Sequence, residues 1–154
     1  MVKFKIQYKN LAIFLCWLLE PTILRAEDSR HIEIRLSTQG NDIAFDKKYI
    51  EEAYAPEIKI KFFNKALPGS QILHNIAILK PGEVEAVIHD MQKLGYDLEK
   101  LKQHKSILVM TQALDPEVAE VVTLRAPGKG YYPYICLMAG HGDILEMRGI
   151  LHLK

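Results

Sequence analysis

Apolar residues recur at every second position through most of this chain, and that period restricts the backbone more than any other feature. Ile32, Ile34 and Leu36 are interleaved with charged residues, as are Ile58, Ile60 and Phe62 with Lys59 and Lys61. Similar short runs occur at 43–45, 72–79, 106–110, 118–124, 131–136 and 149–154. Side chains alternate faces along a strand, so each run presents one apolar and one polar face. Gln39-Gly40-Asn41-Asp42, Leu67-Pro68-Gly69 and Pro127-Gly128-Lys129-Gly130 supply turns between them. Short strands punctuated in this way predict an all-β fold, an antiparallel sandwich or barrel.

One segment departs from the period. From Glu83 to about His104, Val84, Val87, Ile88, Met91, Leu94, Leu98 and Leu101 follow the three-and-four spacing of an amphipathic helix. It is expected to bend near Gly95 and to pack on the outside of the sheets. His89 and His104 fall on its polar side and are assigned to solvent.

The N-terminus reads as a secretory signal over residues 1–26. Lys3, Lys5 and Lys9 form a positive leader, residues 11–19 an apolar run, and Ala26 a small residue suited to precede a cut. The run falls short of the ~20 apolar residues that a spanning helix needs, so stable membrane insertion is not expected. Cys16 lies within it and would leave with the signal. A lipoprotein site at Cys16 is the competing reading, disfavoured by bulky Phe14 and Leu15 just before it. Residues 27–154 then form one domain.

Charge excludes one class of partner. The whole chain holds 20 Lys and Arg against 19 Asp and Glu, and the leader contains four of the cations but one of the acids. A slightly acidic, mixed-sign remainder offers no basic stripe for nucleic acid. Export to an oxidising compartment favours paired cysteines, yet Cys136 has no partner left in 27–154. It is either a small buried hydrophobe or a ligand.

Four residues make the ligand reading the stronger one. Strand parity puts His74 on the same face as Ile76 and Ile78, hence inward. Parity likewise groups Met147 with Gly149, Leu151 and Leu153. Cys136 ends the preceding strand, and Ala139-Gly140 turns the chain before His141, so one loop delivers Cys136, His141 and Met147 to one end of the fold. Taken singly, His74 is a core histidine and Met147 core filler. Together, a thiolate, two imidazoles and a thioether are the soft donor set of a blue-copper electron-transfer centre, whose trigonal geometry changes little on electron gain or loss. Asn75 stands beside His74 and is placed to brace the ligands.

These residues resemble those of azurin-like blue copper proteins of the cupredoxin family. The resemblance is carried by Gln39-Gly-Asn-Asp-Ile-Ala-Phe45, His74-Asn75, Tyr134-Ile-Cys136, Gly140-His141 and Met147-Arg-Gly-Ile-Leu-His-Leu-Lys154. It runs over essentially all of 27–154. It implies a cupredoxin-like Greek-key β-sandwich of about eight strands with one helical insertion, and one type 1 copper ion. Cys136, His74 and His141 would lie roughly in a plane around that ion, with Met147 as the weak axial ligand.

The sequence departs from the azurin pattern in four ways. Five residues, not three, separate His141 from Met147, which leaves Met138, Asp143 and Glu146 as competitors for the axial position. Leu73 replaces a glycine whose carbonyl approaches copper. Met138-Ala139 replaces Phe-Pro, and the azurin disulfide is absent.

The function expected from this is one-electron transfer in the periplasm. Electrons would pass through His141 to a c-type cytochrome, an oxidase or a copper enzyme. Leu67, Pro68, Met138, Ala139, Ile144 and Leu145 supply an apolar rim there, unless Ile144 and Leu145 fold back on their own loop. The alternative is storage or delivery of Cu(I), though no extra Met or His cluster marks an exposed end. A metal-free binding domain would have lost a ligand, and catalysis is disfavoured because one mononuclear site brings no second metal for substrate chemistry.

Overall fold

The structure, a computed structural model, describes residues 32–154. The expected leader, its cut after Ala26 and Cys16 lie outside the described residues. Two sheets face each other. Strands β1 (Ile32–Ser37), β3 (Glu57–Phe63) and β6 (Ala119–Arg125) form the smaller, in the order β1-β3-β6. The larger has the order β2-β8-β7-β4-β5, from β2 (Tyr49–Glu52), β4 (Ala77–Leu79), β5 (Ile107–Met110), β7 (Gly130–Ile135) and β8 (Arg148–Leu153). Among the described residues no helix is long and apolar enough to cross a membrane.

Alternation builds the core between the sheets. Ile34, Leu36, Ile58, Ile60, Phe62 and Leu124 point in from the small sheet. Ile78, Tyr132, Tyr134, Leu151 and Leu153 meet them from the large one. Phe45 sits at the centre, edge-on to Phe62 at 5.9 Å and to Tyr134 at 5.1 Å, an arrangement in which ring edges meet ring faces. The buried Tyr134 hydroxyl donates to the Lys47 carbonyl at 2.6 Å, and that of Tyr132 to Gly128 at 2.6 Å, so neither tyrosine buries an unpaired polar group.

The helical segment folds as two pieces, α1 (Val84–Lys93) and α2 (Leu98–Leu101), with the break at the expected glycine. Gly95 at φ +64° ends α1, Gly95 N–H donates to Gln92 and Tyr96 N–H to Met91, the paired bonds of a glycine-terminated helix. Val87, Ile88, Met91 and Leu101 cover the outer face of the large sheet, against Ala77, Leu79, Ile135 and Leu137. That is why β4 and the end of β7 are buried on both faces. His89 is exposed as expected. His104 is not a solvent residue, because it is half-buried between Asp90, which pairs with its Nε2 at 3.0 Å, and the Ser106 N–H, which donates to its Nδ1.

Three features depart from the strand reading. Not every pair is antiparallel: β1 pairs parallel with β3, and β2 parallel with β8. After β1 the chain crosses to the large sheet, lays down β2 at its edge, then returns to the small sheet as β3. The run at 43–45 is not a strand but the closing side of a tight reversal, with a single bridge between Thr38 and Phe45. The run at 72–79 shortens to Ala77–Leu79, preceded by a lone bridge from His74 to Leu114.

Candidate metal centre

His74, Cys136 and His141 come together at one end of the sandwich, their donor atoms all within 4.8 Å of one another. Cys136 Sγ lies 3.5 Å from His141 Nδ1 and 3.9 Å from His74 Nδ1. The two imidazoles sit 4.8 Å apart, tilted by 48°. Both therefore turn the same ring nitrogen toward one sulfur. His74 and Cys136 are fully buried, whereas His141 keeps part of its surface exposed.

Each donor has a distinct support. His74 exchanges two backbone hydrogen bonds with Leu114, at 2.8 and 3.2 Å. Inward parity was the right direction for His74, but with 74–79 buried throughout, this bridge rather than strand alternation fixes it. Asn75 Oδ1 accepts the Leu137 N–H at 2.7 Å and so ties the His74 segment to the residue after the cysteine, the bracing expected of it. Cys136 N–H donates to Met147 O at 3.1 Å and Met147 N–H to His141 O at 2.9 Å, closing the loop across its base. Met147 is buried and packs in the same cluster as Cys136, on the inward face shared with Leu151 and Leu153.

Glycine is required at Gly142. A Cβ there would meet the Cys136 carbonyl oxygen at 2.2 Å and the Ile135 side chain at 2.4 Å. The loop is pressed flat onto the end of β7, which seats it over the sulfur. Of the expected competitors for a ligand position, neither Asp143 nor Glu146 joins the cluster. Asp143 Oδ2 is engaged instead by the Tyr96 hydroxyl at 2.7 Å and Gln92 Nε2 at 3.2 Å.

Loss of water shapes the electrostatics. Burial pushes the Cys136 thiol up to about 11, although backbone N–H groups of Asn75 and Met138 act on the sulfur in the opposite sense. Burial also drives His74 down to about 4, helped by the neighbouring His141. His141 is lowered for the same first reason, with Asp143 opposing. Near neutral pH both imidazoles are thus free-base donors, the form in which they bind a metal. His74 Nε2 and Asn75 Nδ2 are buried without hydrogen-bond partners, and the thiol has no disulfide partner among the described residues.

A β-sandwich whose closing loop brings one thiol and two imidazole nitrogens to a common point has a cupredoxin-like fold, and this soft N₂S set fits one type 1 copper ion. More narrowly, the chain is similar to auracyanin in sequence and structure, and to azurin in fold. It is 29% identical over 119 residues to auracyanin-A of Chloroflexus aurantiacus, covering 75% of this chain and 71% of that protein. The solved structure of auracyanin A, described as a "blue" copper protein from that bacterium, superposes with a TM-score of 0.66 at 26% identity, over 80% of this chain and 98% of that one. An azurin from Methylomonas sp. strain J superposes at 0.67 and 21% identity, over 80% and 98%, a likeness of fold. No family model matches.

The sequence reading did not find the role of Asp143, which it held as a possible ligand, nor that of Tyr96. Nothing local signals either, because their contact joins residues 47 positions apart.

Proposed function

We propose that residues 27–154 are a periplasmic one-electron carrier, exported by the leader at 1–26, in which His74, Cys136 and His141 would hold a copper ion and Met147 would add a fourth, weaker donor. The observation that carries this reading is the convergence of two Nδ1 atoms on one buried sulfur. Bound copper supplies a one-electron couple, and the chain's part is to hold the donors still. His74 is pinned between strands and Cys136 on the end of β7, so the set is pre-organised and changes little between charge states.

His141 is the donor that reaches the surface, and electrons enter and leave along it. Leu67, Ile144 and Leu145 are exposed at 63%, 74% and 57%, an apolar rim for brief docking of a c-type cytochrome, an oxidase or a copper enzyme. Ile144 and Leu145 stand out from the loop rather than folding back on it.

Adding Cu(II) to purified copper-free protein tests this directly. An intense thiolate-to-copper absorption with reversible one-electron voltammetry is expected. A colourless product whose thiol remains open to alkylation refutes the copper assignment, and rapid bleaching with irreversible retention of Cu(I) refutes the carrier in favour of storage. His141→Gly is expected to slow exchange with a reduced cytochrome, and unchanged exchange removes this route.

A further inference from the structure

The geometry points to a latch between the helical insertion and the ligand loop, in which Asp143, held by Tyr96 and Gln92, is a positioning residue for His141 and for closure over the Cys136 sulfur. The inference rests on the copper reading above, but the contacts exist in the polypeptide alone.

Two ties converge on residues 142 and 143, directly after His141. In the first, Asp143 Oδ2 accepts from the Tyr96 hydroxyl at 2.7 Å and from Gln92 Nε2 at 3.2 Å. In the second, Arg148 Nε donates to Gly142 O at 2.6 Å and Nη2 to Asp143 O at 3.5 Å, while Nη1 reaches Glu85 at 3.3 Å. Gln92 and Glu85 belong to α1, and Tyr96 to the elbow that follows it. The loop is therefore fastened to the outside of the sandwich as well as to its own base.

Backbone conformation marks both sides of the latch. Tyr96 adopts φ +61°, in a region that a bulky side chain rarely occupies, and Glu146 in the loop adopts φ +53°. The Tyr96 conformation persists where its amide is locked to Met91 and its hydroxyl meets Asp143. A five-residue connection from His141 to Met147 has more freedom than a shorter one would. Its internal bonds, Leu145 N–H to Gly140 O and Met147 N–H to His141 O, leave Gly142 and Asp143 to be held from outside. Because Gly142 lies flat against the Cys136 carbonyl, pulling on this point seats the loop on the sulfur. Release lifts His141 and opens a path to a thiol that is otherwise fully buried.

The test uses the full chain in copper-free and copper-loaded forms, with Tyr96→Phe, Asp143→Ala, their combination, and Asp143→Asn. In the copper-free form the readout is the alkylation rate of Cys136. Tyr96→Phe, which loses one hydrogen bond, is expected to raise it about tenfold, and Asp143→Ala, which loses those from both Tyr96 and Gln92, at least as much. The combined variant should go no further than the larger single effect, since both cut one link. Asp143→Asn keeps an acceptor for the hydroxyl and is expected to stay within about twofold of the starting protein. In the loaded form, the first two variants are expected to release copper to a Cu(I) chelator faster and to shift the relative intensities of the thiolate-to-copper bands, with Asp143→Asn unchanged. An unaltered alkylation rate in Tyr96→Phe overturns the latch. So does a rise that only tracks the global unfolding equilibrium, because that marks general destabilisation. If the chain takes up no copper, the copper reading fails while the alkylation arm still decides the latch.

Discussion

The Cys136 thiol sits where desolvation opposes its ionisation, up to about 11, and the same desolvation strips His74 and His141 of their protons near neutral pH. All three donors are uncharged in the copper-free protein, yet the sulfur binds a metal as thiolate. Copper binding near pH 7 is therefore expected to release about one proton per ion, from the thiol alone. Titration in weakly buffered solution with an indicator dye measures this, and release of two or more would mean that an imidazole had been protonated. Met147 is buried in an apolar cluster and its backbone hydrogen bonds survive a change of side chain, so Met147→Leu is close to volume-neutral and should cost less than about 1.5 kcal/mol of stability. Its expected signature lies elsewhere, in an altered blue spectrum and reduction potential. If both match the unmutated protein, Met147 is not the axial ligand.

At the scale of elements, α1 does two jobs that periodicity alone does not separate. Its apolar stripe, Val87, Ile88 and Met91, makes a second core on the outer face of the large sheet. Its polar side supplies Gln92 and Glu85 to the ligand loop. Met91→Ala removes a fully buried side chain from the first of these. It is expected to destabilise the fold by roughly 2–5 kcal/mol, read by denaturant unfolding. Because α1 also carries the latch, the same variant should expose the Cys136 thiol to alkylation below the unfolding transition. A loss of stability with no gain in thiol reactivity would show that helix packing and loop position are independent. The strand elements were legible where three alternating apolar residues survived, as in β1 and β3. β2 escaped notice because in Tyr49–Glu52 only Ile50 is buried, and one residue carries no period.

For the molecule as a whole, His74 links acid stability to the state of the site. Its folded value near 4 lies below the ordinary 6.5, so between those two pH values the unfolded chain binds a proton that the folded chain refuses. The stabilisation is complete above pH 6.5 and is lost as pH falls toward about 4, by roughly 3 kcal/mol in the copper-free protein. Thermal melts of that form across this range are expected to show a steep decline, which His74→Asn should flatten. The period-two pattern and the three-and-four interval at 84–101 determined an all-β sandwich or barrel with a helical appendage, and the Cys136-to-His141 spacing with an inward His74 pointed to a shared cluster of donors, because those are local patterns that report which face of each element meets water. Only the tertiary structure decided that β1 and β3 run parallel, that Leu114 fixes His74, and that Asp143 is tied to Tyr96 rather than offered as a ligand. Those outcomes depend on which distant segments become neighbours, and a residue's own surroundings in the chain carry no record of that.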